Sequence, residues 1–344
     1  MGKRVLVTGL GTFWGARVAK ALEADPDVDI IVGLDKVEPS IELERTEYVK
    51  SDENYSILSR IVAATQVDTI VHTFLVVDST LMRARTMHEI NVIGTMNLFA
   101  AATDSSVRSV VVKSSSYVYG SEPGDPVWFT EDMSRQSPPR HRVERSLAEV
   151  EGYVRDFAVD NPHVAVTMLR FSNVLGPELS TPLSRMLELP LVPSVFGFDP
   201  RFQFVHEDDV VRAVLFVLEH DLAGVFNVAG DGLLPWSEVA AICGKRTAPL
   251  PPIGKGLFTA ALSRIGVDIP PEVVDLLKYG RGLDNGRLKR AGFDYTHTSA
   301  GAVRAFIEAL RLMRTVGPTR ATYQYEQAVE EFFRRSPAVV RRPR

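Results

Sequence analysis

Cysteine is almost missing from this 344-residue chain: Cys243 stands alone. One thiol makes neither a disulfide framework nor a cysteine-based zinc site. Long apolar runs are missing too, and none approaches the roughly 18 residues that a membrane-spanning helix needs. Positive charge is not in excess. The formal net charge is −4, so the balance gives no reason to expect nucleic acid as a partner. No repeat of fixed period is present, which excludes a solenoid. The amino terminus enters a strand-like run within its first few residues, which leaves no room for a cleaved signal, and a cytoplasmic location is the expectation. The composition that remains is that of an ordinary globular protein, long enough for one large or two modest domains.

What is present begins at Lys3. The apolar run Val5-Leu6-Val7 breaks into a glycine-rich turn, Gly9-Leu10-Gly11-Thr12-Phe13-Trp14-Gly15. The turn opens a segment with apolar residues at helical spacing (Phe13, Val18, Ala19, Leu22), and a second apolar run, Ile30-Ile31-Val32, ends in Asp35. Strand, turn, helix and strand in that order make a dinucleotide site. The glycines let the backbone approach a pyrophosphate, and the helix start offers free N–H groups and a positive dipole end. Asp35, twenty residues after Gly15, stands where a carboxylate accepts hydrogen bonds from an adenosine ribose.

Further strands are expected at Tyr48–Asp52, Asp68–His72, Val110–Lys113 and Val164–Arg170. Helices are expected at about Asn54–Ala64, Thr80–Thr103 and Arg142–Ala158. This alternation predicts an α/β protein, a Rossmann doubly wound parallel sheet with both faces covered. Its ligand lies at the carboxyl ends of the strands. After Gly176-Pro177 prolines become frequent and elements shorten, as in a smaller C-terminal substrate-binding cap. Residues 1–175 are expected to form the dinucleotide-binding domain, with returns near 203–230, and residues 176–330 mostly the cap. Residues 331–344 form a basic tail, in which Phe332–Arg344 holds five arginines and no acid. His206 with Asp208 and Asp209 reads as a helix cap, and His72, in a strand, as structural.

The ordered pieces resemble the extended short-chain dehydrogenase/reductases, in their nucleotide-sugar epimerase/dehydratase branch. The likeness runs from the glycine turn to about Tyr295. It rests on Thr8-Gly9, Gly15, Asp35, Asp52, Asn91-Val92-Ile93-Gly94-Thr95, Ser114-Ser115 before Val118-Tyr119-Gly120, Leu169-Arg170 with Asn173 and Gly176-Pro177, Val205-His206 with Asp208-Asp209, and Phe226-Asn227-Val228. The resemblance implies NAD as cofactor and a nucleotide sugar as one class of substrate. It assigns Gly9, Gly11 and Gly15 to the pyrophosphate turn, Asp35 to the ribose and Asp52 to the adenine edge. Asn91 would hold the central helix, Ser115 would hydrogen-bond the substrate's reacting oxygen, and Asn173 would reach its phosphates. A homodimer through the helices at 80–103 and 142–158 is the expected assembly.

Two departures qualify that likeness. The middle glycine of the turn falls at Thr12, where a β-branched residue resists positive φ; Gly11 then reroutes the turn, and the Thr12 hydroxyl becomes a candidate phosphate contact. The family's chemistry also needs a tyrosine followed four residues later by a lysine, one helical turn apart. None of the nine tyrosines here has that lysine. By distance from Ser115 the pair falls on His141 and Arg145. Two readings stay open. In one, His141 exchanges the proton, its reference pKa being near 6.5, while Arg145 supplies the positive charge. In the other the chain is a non-catalytic dinucleotide-binding sensor or scaffold. The regions that would choose a substrate, about Pro177–Arg201 and Pro249–Leu283, include the apolar segment Leu257–Leu262, suited to a lipid-like group as well as a sugar.

Overall fold

A computed structural model of the chain describes residues 2–52, 54–103, 105–251 and 268–316. The basic tail at 331–344, the last part of the expected cap at 317–330 and the apolar segment at 257–262 lie outside the described residues.

Seven strands form one parallel sheet: β1 Lys3–Thr8, β2 Val28–Asp35, β3 Thr46–Lys50, β4 Thr69–His72, β5 Ser109–Ser115, β6 Ala165–Phe171 and β7 Gly224–Val228. Their order across the sheet is β7-β6-β5-β4-β1-β2-β3, and every neighbouring pair is parallel. Alternation explains how β1 comes to lie inside the sheet, between β4 and β2. Leu6 joins the core on one face, while Val5 and Val7 join the core on the other. A strand apolar on both faces is stable only with helices on both sides. The chain leaves β1 toward β2 and β3, then returns through β4 to the opposite side of β1. That reversal opens a crevice above the carboxyl ends of β1 and β4.

Helix α1 is Phe13–Glu23 and α2 is Tyr55–Thr65. The long helix expected at 80–103 begins later and is interrupted. It comprises α3 Ala84–His88, a π-helical turn at Glu89–Ile93, and α4 Gly94–Ala102. The late start has a local cause: the Asp78 carboxylate accepts from the Thr80 N–H at 3.0 Å and from its hydroxyl at 2.6 Å, which makes a turn there. The wide turn carries Asn91, fully buried. Its amide donates to Val76 O and accepts from Val76 N, both at 2.8 Å. Asn91 thereby fixes the segment that follows β4. Helix α5, Arg142–Asp160, packs along α4.

Beyond β6 a third hydrophobic core gathers Leu175, Leu183, Met186, Phe202, Trp236, Leu276 and Phe306. It includes residues of the helices α6 Pro182–Glu188, α8 Trp236–Ile242, α9 Pro271–Tyr279 and the last described helix, Ser299–Val316. Helix α7, Glu207–Glu219, returns to the main sheet and packs on α1. His206 caps it by accepting from the Asp208 N–H at 3.2 Å. Among the described residues no helix is long and apolar enough to cross a membrane.

Candidate functional site

The turn after β1 depends on close approaches. Gly9 has φ +77°, and a Cβ there would lie 2.9 Å from Thr73 Oγ1 and 3.1 Å from the Phe74 backbone. At Gly15 a Cβ would fall 2.2 Å from Gly9 O, so α1 could not seat on the turn. At Gly11 it would meet Val37 O at 2.6 Å. Thr12 does not need the left-handed conformation that the sequence suggested for it. Its φ is −87° and its ψ 160°, because Gly9 alone takes the positive φ within the turn. Thr12 is the N-cap of α1. Its hydroxyl donates to Gly9 O at 2.6 Å and accepts from Gly15 N at 3.2 Å. The hydroxyl proton is thus committed to the turn itself.

Asp35 ends β2, 2% exposed. Its carboxylate accepts from Gly11 N at 2.9 Å and from Val37 N at 3.1 Å. Burial pushes its pKa up to about 6, and the two N–H groups oppose that rise. Asp52 follows β3, exposed, 3.9 Å from the Lys36 ammonium. His72 is buried between the hydroxyls of Thr8 at 2.7 Å and Thr95 at 2.9 Å, and burial lowers its pKa to about 3. A neutral imidazole held on both nitrogens ties β4 to β1 and α4.

A cavity of about 170 Å³ opens above the strand ends. Its wall is made by Thr12, Phe13 and Trp14 from the start of α1, by residues 74–78 after β4, by Lys113–Tyr117 at the end of β5, by Phe171–Val174 after β6, and by Glu178–Leu183. Thr12, Ser115 and Asn173 therefore share one space. The Ser115 side chain is 7% exposed and accepts from Tyr117 N at 3.3 Å. The Asn173 amide donates to Gln203 O at 2.9 Å. Neighbouring Ser114 faces the other way and donates to Glu151 at 2.7 Å. Glu151 in turn holds Arg170 through two hydrogen bonds, at 2.9 and 2.5 Å. That buried pair locks α5 to β6 beneath the cavity.

His141 and Arg145 do not belong to this wall. His141 is the N-cap of α5. Its backbone N–H donates to the Glu144 carboxylate at 3.2 Å, and its Nε2 lies 2.8 Å from Asp275 Oδ2. The bond to Asp275 raises its pKa above 6.5. Arg145 is exposed. The face that α5 turns inward at these turns carries Val143 and Leu147, both fully buried.

The structure adds residues that sequence reading passed over. Lys113, read only as the end of a strand, lies on the cavity wall 6% exposed. The one available signal was a lysine closing the run Val110-Val111-Val112 ahead of three serines. Trp14 also lines the cavity, and so does Tyr117, which the sequence offers, with Tyr119, as a proton carrier should His141 not serve. Tyr117 packs against the buried Arg281 guanidinium, 4.7 Å from its ring centroid. Tyr119, by contrast, is tied to Asn227 at 2.8 Å and to Arg170 at 2.7 Å, and stacks on Phe129. Among the described residues no group of three or more His, Cys, Asp or Glu side chains is placed to hold a metal ion.

Comparison with known proteins agrees with this architecture. A protein of Mycobacterium tuberculosis of uncharacterized function is 34% identical over 328 residues, covering 92% of this chain and 87% of its own length. The dTDP-glucose 4,6-dehydratase of Bacillus anthracis, crystallised with NAD, superposes with a TM-score of 0.68 at 18% identity, over 90% of this chain and 97% of that one. The UDP-glucose 4-epimerase of Thermotoga maritima, crystallised with UDP-glucose, gives 0.68 at 20% identity, over 91% and 99%. At those identities the two solved structures establish likeness of fold. Residues 5–229 match the sequence model of the NAD dependent epimerase/dehydratase family. With its seven-stranded parallel sheet and its glycine turn facing Asp35, the chain belongs to that NAD-dependent family.

Proposed function

We propose that this protein binds NAD at the turn after β1 and uses it to oxidise or reduce a secondary alcohol or ketone of a nucleotide-sugar-like substrate. The observation that carries the reading is the shared wall: the start of α1, Ser115 and Asn173 border one cavity at the carboxyl ends of the strands. The residues fit the cofactor. The turn leaves no room for a Cβ at Gly9, Gly11 or Gly15, and a carboxylate stands at the end of β2. Gly9, Gly11 and Gly15 would let the pyrophosphate approach, Asp35 would accept from the ribose, and Asp52 would border the adenine. Bound there, NAD supplies a hydride acceptor or donor. Ser115 donates its hydroxyl proton toward the substrate oxygen, and Asn173 offers its carboxamide to the substrate's polar end.

In this reading His141 and Arg145 serve α5 rather than the substrate. His141 has a carboxylate partner outside the cavity, and Arg145 meets solvent. A second reading, a dinucleotide-binding protein without turnover, draws support from Val143 and Leu147 on the inward face of α5. Stopped-flow absorbance at the nicotinamide band, with NAD and a panel of UDP- and dTDP-sugars, separates the two. Reduced nicotinamide formed within one turnover supports the first. NAD binding by calorimetry without any hydride transfer supports the second.

The same reading includes a homodimer through α3, α4 and α5. These neighbouring helices, with the π-helical turn between α3 and α4, expose Ile93 (42%), Met96 (37%) and Tyr153 (40%), an apolar set that a second copy would cover.

A further inference from the structure

Lys113 lies on the cavity wall, where no anion among the described residues pairs with it. Its Nζ donates to Leu75 O at 2.7 Å and sits 4.6 Å from the Trp14 ring centroid. Among the described residues no carboxylate pairs with it. The two acids on the wall are engaged elsewhere: Asp78 with Arg185 at 2.7 Å, and Glu178 with Arg17 at 2.7 Å. On β4, His72 is neutral. On β6, Arg170 is held by Glu151. Burial keeps the Tyr117 hydroxyl protonated. Burial also lowers the Lys113 pKa to about 7, against the pull of the Leu75 carbonyl and the Trp14 face, both of which favour the ammonium.

Position matters as much as charge. Lys113 and Ser115 are alternate residues of β5, so their side chains leave the same face of the strand roughly 6–7 Å apart. Across the strand ends, the Ser172 hydroxyl also borders the cavity, 8% exposed and without a hydrogen-bond partner among the described residues. Among the described residues this wall carries a hydroxyl without a hydrogen-bond partner and an amine without a carboxylate, groups that suit a polar ligand.

We propose that the Lys113 amine is the proton carrier of this cavity, accepting the hydroxyl proton of a secondary alcohol that Ser115 holds in place. The proposal rests on the NAD reading above. In the forward direction the alcohol's O–H bond breaks and its proton passes to the amine, which becomes an ammonium. The carbon-bound hydrogen leaves with its electron pair to oxidised NAD, and the alcohol becomes a carbonyl. In reverse the ammonium returns the proton to the alkoxide oxygen as hydride arrives at the carbon. Lysine suits this role because its amine is neutral in an appreciable fraction of molecules near pH 7 once its pKa is lowered by burial.

Trp14 provides a readout that needs neither cofactor nor substrate. Its emission, isolated as the difference between wild type and Trp14→Phe, is expected to titrate with a midpoint near the value burial gives Lys113, and to lose that step in Lys113→Met, which keeps length and removes charge. Lys113→Met is expected to change NAD affinity by less than about threefold while hydride transfer falls about 10²–10⁴-fold. Lys113→Arg is expected to be as slow, because a guanidinium stays protonated. His141→Ala should keep turnover within about twofold. A Trp14 midpoint above about 9 overturns the proposal, since an ordinary lysine titrates there. Turnover that survives Lys113→Met overturns it, as does the lack of hydride transfer from any sugar of the panel to NAD-loaded wild type. Failure of wild type to bind NAD is a different result: it removes the cofactor reading and the hydride step with it, while the cofactor-free titration still reports on the amine.

Discussion

The Thr12 hydroxyl donates to the Gly9 carbonyl at 2.6 Å, and the same oxygen accepts from the Gly15 N–H at 3.2 Å. One side chain therefore closes both ends of the turn on which α1 begins. Thr12→Val keeps the shape and loses both bonds. The expected cost is about 1 kcal/mol of stability, the usual size of a lost N-cap, together with weaker NAD binding. Thr12→Ser should retain both properties. Urea unfolding and calorimetry on the two variants make the comparison, and a valine variant equal to wild type in both would show that the turn holds without the hydroxyl.

Asp35 gives a test of cofactor choice and of pH together. A carboxylate at the end of β2 accepts from a 2′-hydroxyl and repels a 2′-phosphate, so NAD should bind tighter than NADP, and Asp35→Asn should narrow the difference. The cofactor-free protein should also reveal the buried acid. Its pKa in the fold is about 6 against a reference of 3.8. Between those values the folded state binds a proton that the unfolded chain has released, so wild type loses stability as the pH rises through that window. Relative to Asp35→Asn, wild type should therefore lose up to about 2–3 kcal/mol between pH 4 and pH 7. A flat difference across that range would mean that Asp35 is solvated.

His141 carries the opposite sign. Asp275 raises its pKa above 6.5, so the bond between them contributes stability that is full below pH 6.5 and is lost as the pH rises through the folded value. The stability gap between wild type and His141→Ala should be widest in mild acid and should shrink toward alkaline pH. Asp275→Asn should abolish that trend. Chemical denaturation at a series of pH values measures it, and a gap that grows with pH would contradict the contact.

Assembly is tested at α3, α4 and α5. Light scattering at micromolar concentration should give about twice the 38.0 kDa chain mass. Ile93→Glu with Met96→Glu should yield monomer, because two buried carboxylates without partners would cost several kcal/mol at an apolar contact. A double variant that stays dimeric would place the interface elsewhere.

Much of the framework could be read along the chain. The β2 and β4 runs appear where the apolar pattern puts them, and the α5 boundary at Arg142 matches. The cap formed by His206 followed from a polar turn entering an apolar period. These features depend on neighbours within a turn or a strand, and such neighbours are visible in the sequence. The break in the long central helix was not. Its π-turn exists because Asn91 must reach the Val76 backbone, a partner fifteen residues away, and helical periodicity carries no record of that bond. Thr12 was misjudged for a related reason. Family spacing marks which residue replaces a glycine, but the positive φ belongs to Gly9, and only the path of the turn decides that.

By itself the sequence determined the first strand–helix–strand unit, the glycine turn and the acid facing it, because strand period, close-approach glycines and a carboxylate at a strand end all lie within about forty consecutive residues. Tertiary structure alone decided which side chains share the cavity. The rotation of α5 is set by the cap from His141 to Glu144 and by the burial of Val143 and Leu147, and it leaves Arg145 in solvent. The lowered pKa of Lys113 comes from its burial among elements far from it in the chain, the start of α1 and the segment after β4 among them. Desolvation is a sum over neighbours from separate elements, and no local pattern of residues contains that sum.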